Sequence, residues 1–321
     1  MKILSLVTAA ITLISTASTA QTVDWPSRKP VRIVVPFAAG GTADAVGRLV
    51  ATQLQANLQQ SFIVENRAGG GGAVGARQVS QSVPDGYTLV LAGGASHVIV
   101  PLLNGKGVET LSDATPIAMI GSLPSVLLVT PAIGVKGVKE LIAKVQTLPE
   151  GLSWGSPGAG TSGHLAGEMF FRSLKLKQTH VSYQGGAPAL NNLLGGHIHA
   201  AVMNLPAVVP HIKAGKITAL LVTSEKRLPG LPDVPSFVEE GLPASDTWYG
   251  IAGPAAMPAP LVEKINNEVR QVLKADAVQK RLALEYFQPM DFDAERSTRY
   301  IKNDFERWGP LVQVISASIA K

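Results

Sequence analysis

The chain has 321 residues, with 28 Lys and Arg against 23 Asp and Glu, 46% hydrophobic residues and no Cys. Its length favours two packed units over one core, and its apolar content with a net charge of +5 argues against disorder. The lack of Cys excludes a disulfide scaffold, thiolate zinc sites, CxxC redox chemistry and a cysteine nucleophile, and the positive charge is too dispersed to indicate nucleic acid as a partner.

Met1-Lys2 precedes an uncharged stretch from Ile3 to Ala20 that closes on Ser18-Thr19-Ala20. A basic start, an apolar middle and small residues at the last and third-last positions read as a secretory signal peptide over 1–20. The strongly apolar part, Ile3 to Ile14, is too short to cross a hydrocarbon core about 30 Å thick. Cleavage removes Lys2 and no acidic residue, which lowers the charge from +5 to +4. The mature chain is expected to be exported, and the absence of Cys is consistent with a bacterial periplasm.

Short β-branched runs then alternate with amphipathic stretches, the pattern of an α/β protein with parallel strands. Val31 to Pro36 predicts a strand, Asp44 to Leu58 a helix with Val46, Leu49, Val50, Leu54 and Leu58 on one face, and Ser61 to Glu65 a second strand. A short helix near Ala73 to Gln81 and a strand from Tyr87 to Ala92 follow. The uncharged stretch from Ala114 to Val135 is interrupted by Pro116, Gly121, Pro124, Pro131 and Gly134, so it reads as buried strands and turns, not a membrane span. The alternation restarts with a helix from Val138 to Val145, a strand from Leu152 to Ser156 and a helix from Gly163 to Leu174. Strands end near Tyr183, Asn204 and Thr223, and Leu228 to Val234 is a Pro-rich connector. Past Gly253 lie two or three helices. In one of them, Pro260 to Lys274, Leu261, Ile265, Val269, Val272 and Leu273 share a face. The last, Asp293 to Ile315, should break or kink at Gly309-Pro310.

Each half contains an apolar strand, a loop of Gly and small hydroxyl residues, then an amphipathic helix: Val35-Pro-Phe-Ala-Ala-Gly-Gly-Thr-Ala-Asp44 and Trp154-Gly-Ser-Pro-Gly-Ala-Gly-Thr-Ser-Gly-His164. A helix N-terminus leaves amides unpaired and carries roughly half a positive charge, so it favours an anion. Gly40, Gly41 and Thr42 with Gly160, Thr161 and Ser162 would form two such cradles, suited to a mono- or dicarboxylate. The alternative is a pair of ordinary turns in which Thr42 or Asp44 caps a helix. Gly70-x-Gly72-x-x-Gly75 and Gly158-x-Gly160-x-x-Gly163 both satisfy GxGxxG, but the first does not open a βαβ unit, and such matches arise easily among 32 Gly. None of the loop serines Ser96, Ser156 and Ser162 has Gly at both −2 and +2, so no nucleophile elbow is present. His197-x-His199 could pair on a metal, but a solvated strand end explains it better. Trp154, Trp248 and Tyr249 could line a pocket or fill a core.

The order of segments resembles the Bug family, the extracytoplasmic solute receptors of tripartite tricarboxylate transporters. Besides the two loops, the resemblance rests on Val64-Glu-Asn-Arg-Ala-Gly-Gly-Gly-Gly72, Pro84-Asp-Gly-Tyr-Thr-Leu89, Tyr183-Gln-Gly-Gly-Ala-Pro188 and Leu194-Gly-Gly196. It continues in Asn204-Leu-Pro206, Pro210-His-Ile-Lys-Ala-Gly215, Leu231-Pro-Asp-Val-Pro235 and Arg307-Trp-Gly-Pro310. It implies a two-lobed type II periplasmic-binding-protein fold, each lobe a mostly parallel sheet flanked by helices, with one lobe from 24–124 plus 246–321 and the other from 125–245. It also implies capture of a small carboxylate by hinge closure, without catalysis or cofactor. The receptor would be a monomer that hands its ligand to membrane transporter subunits or to a signalling partner. Residues carried over are Phe37, Ala38, Gly40, Gly41, Thr42 and Asp44 on one side, with Ser96. The facing side has Ser156, Gly158, Gly160, Thr161, Ser162, His164, Tyr183, Gly185 and Asn204. The family commonly has acidic residues on the strand before Asn-Leu-Pro where this chain has His199 and Met203, which favours a carboxylate without an amino group. The segment after His97, from Val98 to Lys106, also lacks the family's usual Asn-Pro and Tyr-Asp signature. The rival expectation is an exported hydrolase using a loop serine with His164.

Overall fold

The computed structural model describes residues 24–107 and 112–319; the expected signal peptide, 1–20, lies outside them. β1 (Val31–Val35), α1 (Thr42–Leu58), β2 (Phe62–Asn66), α2 (Ala73–Ser80) and β3 (Thr88–Gly93) follow the predicted alternation. A π-helical turn, Ala95–Ile99, then runs into α3 (Val100–Leu103), and neither is signalled by periodicity. The uncharged stretch forms β4 (Ala114–Leu123) and β5 (Ser125–Val129), parted by Pro124. The alternation resumes with α4 (Val138–Gln146), β6 (Leu152–Ser156), α5 (Ser162–Ser173), β7 (Gln178–Ser182) and α6 (Gly186–Leu194). β8 (Ala200–Asn204), α7 (Val209–Lys213) and β9 (Thr218–Val222) complete that half. β10 (Thr247–Pro254), α8 (Ala259–Lys274), α9 (Asp276–Leu284), β11 (Gln288–Pro289) and α10 (Ala294–Ile319) return to the first.

The strands build two sheets, a six-stranded one ordered β11-β4-β10-β3-β1-β2 and a five-stranded one ordered β7-β6-β8-β5-β9. Alternate residues of each strand serve opposite faces. Ile33, Val35, Leu89 and Leu91 pack with α1, α8 and α9, whereas Val34 and Val90 pack with Val79 of α2 and with Ile301, Phe305 and Trp308 of α10. In the second sheet Leu127 and Val129 face α4 and α5, and Val126 and Leu128 face α6. The predicted stripe of α8 is buried throughout, and each such Val, Leu or Ile contributes roughly 1.5–3 kcal/mol.

Strand sense is more mixed than expected. β1 is parallel to β2 and β3, and β6 to β7 and β8, but β10 opposes both β3 and β4, and β5 opposes both β8 and β9. The cause is how the chain changes sheets. It leaves the first sheet at Leu123 and returns beside it at Thr247, so the outgoing and returning strands must be antiparallel. Thr223 ties the two crossings together. Its Oγ1 accepts from the Ser125 amide at 2.8 Å and donates to Asp246 Oδ1 at 3.3 Å, and its carbonyl accepts from the Ser245 amide at 2.9 Å.

α10 does not break where a break or kink was expected: it continues as a helix through Pro310. Pro310 lies on the exposed face, where water can serve the carbonyl it orphans, and buried Phe305, Trp308, Val312 and Ile315 hold the helix on both sides. Among the described residues no helix is long and apolar enough to cross a membrane.

Candidate functional site

The carboxyl ends of β1, β3, β6 and β8 and the amino end of the antiparallel β10 face one cleft, the place where ligands sit in open α/β sheets. It holds about 560 Å³ of space free of protein atoms, its open mouth included, and the halves come close beside it: a β-carbon on Gly41 would lie 3.4 Å from the Gly186 amide nitrogen. Three helix N-termini border it: α1 through Thr42 and Ala43, α5 through Ser162 and Gly163, and α6 through Gly186. Amides in the first turn of a helix have no intrahelical acceptor, and the three helix dipoles put their positive ends on the same space. The remaining wall comes from Phe37, from Gly93-Gly94-Ala95 at the end of β3, and from Met203, Asn204 and Tyr249 on strands. No charged side chain lines the cleft among the described residues.

Hydroxyl groups complete this donor-rich surface. Thr42 Oγ1 is buried without a hydrogen-bond partner. Tyr249 Oη accepts from Asn204 Nδ2 at 2.8 Å, which leaves its own proton to donate. Burial pushes the Tyr249 phenol far up, against a smaller opposing pull from the Asn204 hydrogen bond, so it stays protonated. Thr161 also caps α5, its Oγ1 accepting from the His164 amide at 3.2 Å, so here the ordinary N-cap reading and the cleft reading both apply.

The structure sorts the expected site residues into three groups. Phe37, Gly41, Thr42, Thr161, Ser162 and Asn204 line the cleft. Ala38, Gly40, Gly158, Gly160 and Gly185 lie at the seam beside it: the Ala38 amide donates to the Gln184 carbonyl at 2.8 Å, and a β-carbon on Gly40 would sit 3.5 Å from that of Ala187. Asp44, Ser96, Ser156, His164 and Tyr183 are not cleft-lining residues.

Those five shape the walls from behind. Asp44 accepts from the Gly40 amide and Arg48 at 3.0 Å each and from Asn66 Nδ2 at 2.9 Å. Burial pushes its carboxyl up, but these bonds outweigh it and hold the group below the usual carboxylate range. The Gly40 amide is therefore committed to Asp44. Ser96 contacts His97 Nδ1 at 2.8 Å on the far side of the π turn. Ser156 Oγ lies 2.8 Å from His180 Nε2, and His164 Nδ1 accepts from the Gly160 amide at 3.2 Å. The His164 and His180 rings lie 4.3 Å apart, tilted by 37°, beside Trp154. Burial, and then the neighbouring His164, pulls His180 down to about 3. Tyr183 packs against Gly155, where an added β-carbon would come within 2.8 Å of its ring.

Among the described residues no loop serine is hydrogen-bonded to His164: its Nδ1 accepts from the Gly160 amide, and Ser156 meets His180 instead and is fully buried. His199 Nδ1 accepts from the Ser153 amide at 3.0 Å, and no group of three metal-ligating side chains exists among the described residues. Gly186 and Gly93 to Ala95 line the cleft without having been expected there, and Met203, singled out above where the family has an acidic residue, lines it too. Tyr249, open between pocket and core from sequence, lines the cleft, whereas Trp154 and Trp248 are core residues.

Comparison with known proteins agrees with this architecture. The TctC profile, described as "Tripartite tricarboxylate transporter family receptor", matches residues 46–317. Protein BugT of Bordetella pertussis is 30% identical over 299 residues, covering 92% of this chain and 91% of that protein. A solved structure, R. palustris Rpa4515 with adipate, superposes with a TM-score of 0.82 at 31% identity, over 90% of this chain and 98% of that one. MatC from Rhodopseudomonas palustris with bound malate gives 0.80 at 28% identity, over 89% and 99%.

Proposed function

We propose that this chain, which belongs to the tripartite tricarboxylate transporter family of receptors, captures a small carboxylate that carries no amino group. The observation that carries this is the cleft itself. Three helix N-termini and the hydroxyls of Thr42, Ser162 and Tyr249 surround it, and no charged side chain among the described residues joins them. Such a site stabilises a carboxylate through amides and dipoles. An ammonium buried there would have no anion to pair with, and burying an unpaired charge is strongly unfavourable. The adipate and malate bound to relatives, both carboxylates without an amino group, support the same class.

Capture proceeds by a population shift between open and closed arrangements, because a ligand that touches both halves stabilises only the closed one. The proposed lobes, 24–124 plus 246–321 and 125–245, turn about the paired crossings that Thr223 links. The closed receptor works in the periplasm and delivers its cargo to membrane subunits of a transporter, without chemical conversion. The test is a melting-temperature screen of carboxylates, each beside its primary amide. At least one carboxylate should raise the melting temperature and remain chemically unchanged, while its amide has no effect. Equal stabilisation by acid and amide, or hydrolysis of a bound ester, would contradict the reading.

A further inference from the structure

The two GxGxxG runs lie on opposite halves and meet each other. Gly70, Gly71 and Gly72 turn with φ of 57, 63 and 101°, the left-handed region that glycine tolerates. A β-carbon on Gly71 would fall 2.2 Å from the Ala159 carbonyl oxygen, across the seam, and 2.8 Å from Val100 Cγ2. One on Gly158 would lie 3.5 Å from Gly71 Cα, and one on Gly160 would lie 2.7 Å from Val100 Cγ2. The turn of the first half is thus seated in the loop of the second with no room for a side chain between them. Gly71, Val100, Gly158, Ala159 and Gly160 are all outside the cleft lining.

We propose that Gly71 and the Gly158-Ala159-Gly160 turn form a clasp that exists only when the halves are shut, and that this clasp, without touching the ligand, sets the closed population and so the affinity. The first GxGxxG run is then a closing surface and not a phosphate cradle. This rests on the lobe motion proposed above, but its test needs no ligand.

Gly40→Cys and Ala187→Cys supply the reporter. Their β-carbons would be 3.5 Å apart across the seam, within the roughly 3.5–4.5 Å that a disulfide spans, and the chain has no other thiol. Oxidation by glutathione disulfide is followed on non-reducing gels in the parent pair, and again with Gly71→Ala or Gly70→Ala added. Gly70 is the control for backbone strain: its φ of 57° is close to that of Gly71, but its β-carbon would meet only Ala73 Cβ, at 3.5 Å, whereas one on Gly71 meets Val100 of its own half as well as the Ala159 carbonyl across the seam. Gly71→Ala should slow oxidation roughly tenfold or more while Gly70→Ala stays within about twofold of the parent. Equal rates, or no oxidation of the parent pair, overturns the clasp. A clear rate difference in a protein that binds no carboxylate upholds the clasp and removes the proposed ligand instead.

Discussion

The Thr42 hydroxyl lies buried at the start of α1 without a partner, and leaving such a group unsatisfied costs about 1–3 kcal/mol. A carboxylate bound in the cleft would repay that cost. Thr42→Val preserves shape and removes the hydroxyl, so the ligand-free protein should melt at a higher temperature. Its affinity for the captured carboxylate should fall roughly tenfold or more, as expected for loss of a charge-assisted hydrogen bond. A thermal titration of the variant reads both effects, and undiminished binding would remove Thr42 from the site. Asp44 is the counterexample at this scale. An acidic residue in the first turn of a helix after a glycine loop can read as ligand-binding, but its carboxylate is spent on Gly40, Arg48 and Asn66. Sequence cannot separate the two roles, because loop support and ligand contact use the same residue types at the same spacing.

Among the elements, α1 and α5 were legible in full, since each follows an apolar strand through glycines and a hydroxyl residue. The N-terminus of α6 follows a strand too, but Gly185-Gly186 has no hydroxyl beside it, and only the family resemblance placed it at the site. The π turn had no signal, because its five residues are too few to show a period. It separates the cleft, which Gly94 and Ala95 line, from a second cavity lined by Ser96 and His97. Burial in the π turn brings His97 down to about 4 from 6.5. The folded state therefore refuses a proton that the unfolded chain accepts, so this contribution to stability is present above pH 6.5 and declines as pH falls towards 4, by at most about 1.4 kcal/mol per pH unit. Urea midpoints between pH 7 and 4.5 should fall more steeply for the parent than for His97→Asn, which has no titrating ring. Parallel pH profiles would show that His97 is not the group responsible.

At the scale of the whole molecule, the legible part was two α/β halves, each with a glycine loop. Less legible was how closely they approach, which depends on packing between residues far apart in the chain: Gly41 near Gly186, Ala38 bonded to Gln184, Asn204 bonded to Tyr249. β10 went unrecognised as a strand because its direction is set by where the chain returns, not by its own pattern. What the closed halves create is a space rich in donors and, among the described residues, free of charged side chains, and selective capture of a carboxylate rests on that. It is tested most directly by calorimetric titration with matched pairs of acids that differ only in an amino group, such as propionate with alanine, succinate with aspartate and glutarate with glutamate. The account predicts binding in at least one pair, with the amino-free acid tighter by roughly a hundredfold or more, since an ammonium would be buried unpaired. Tighter binding of the amino acid in any pair, or no binding of any carboxylate across the series, would contradict it.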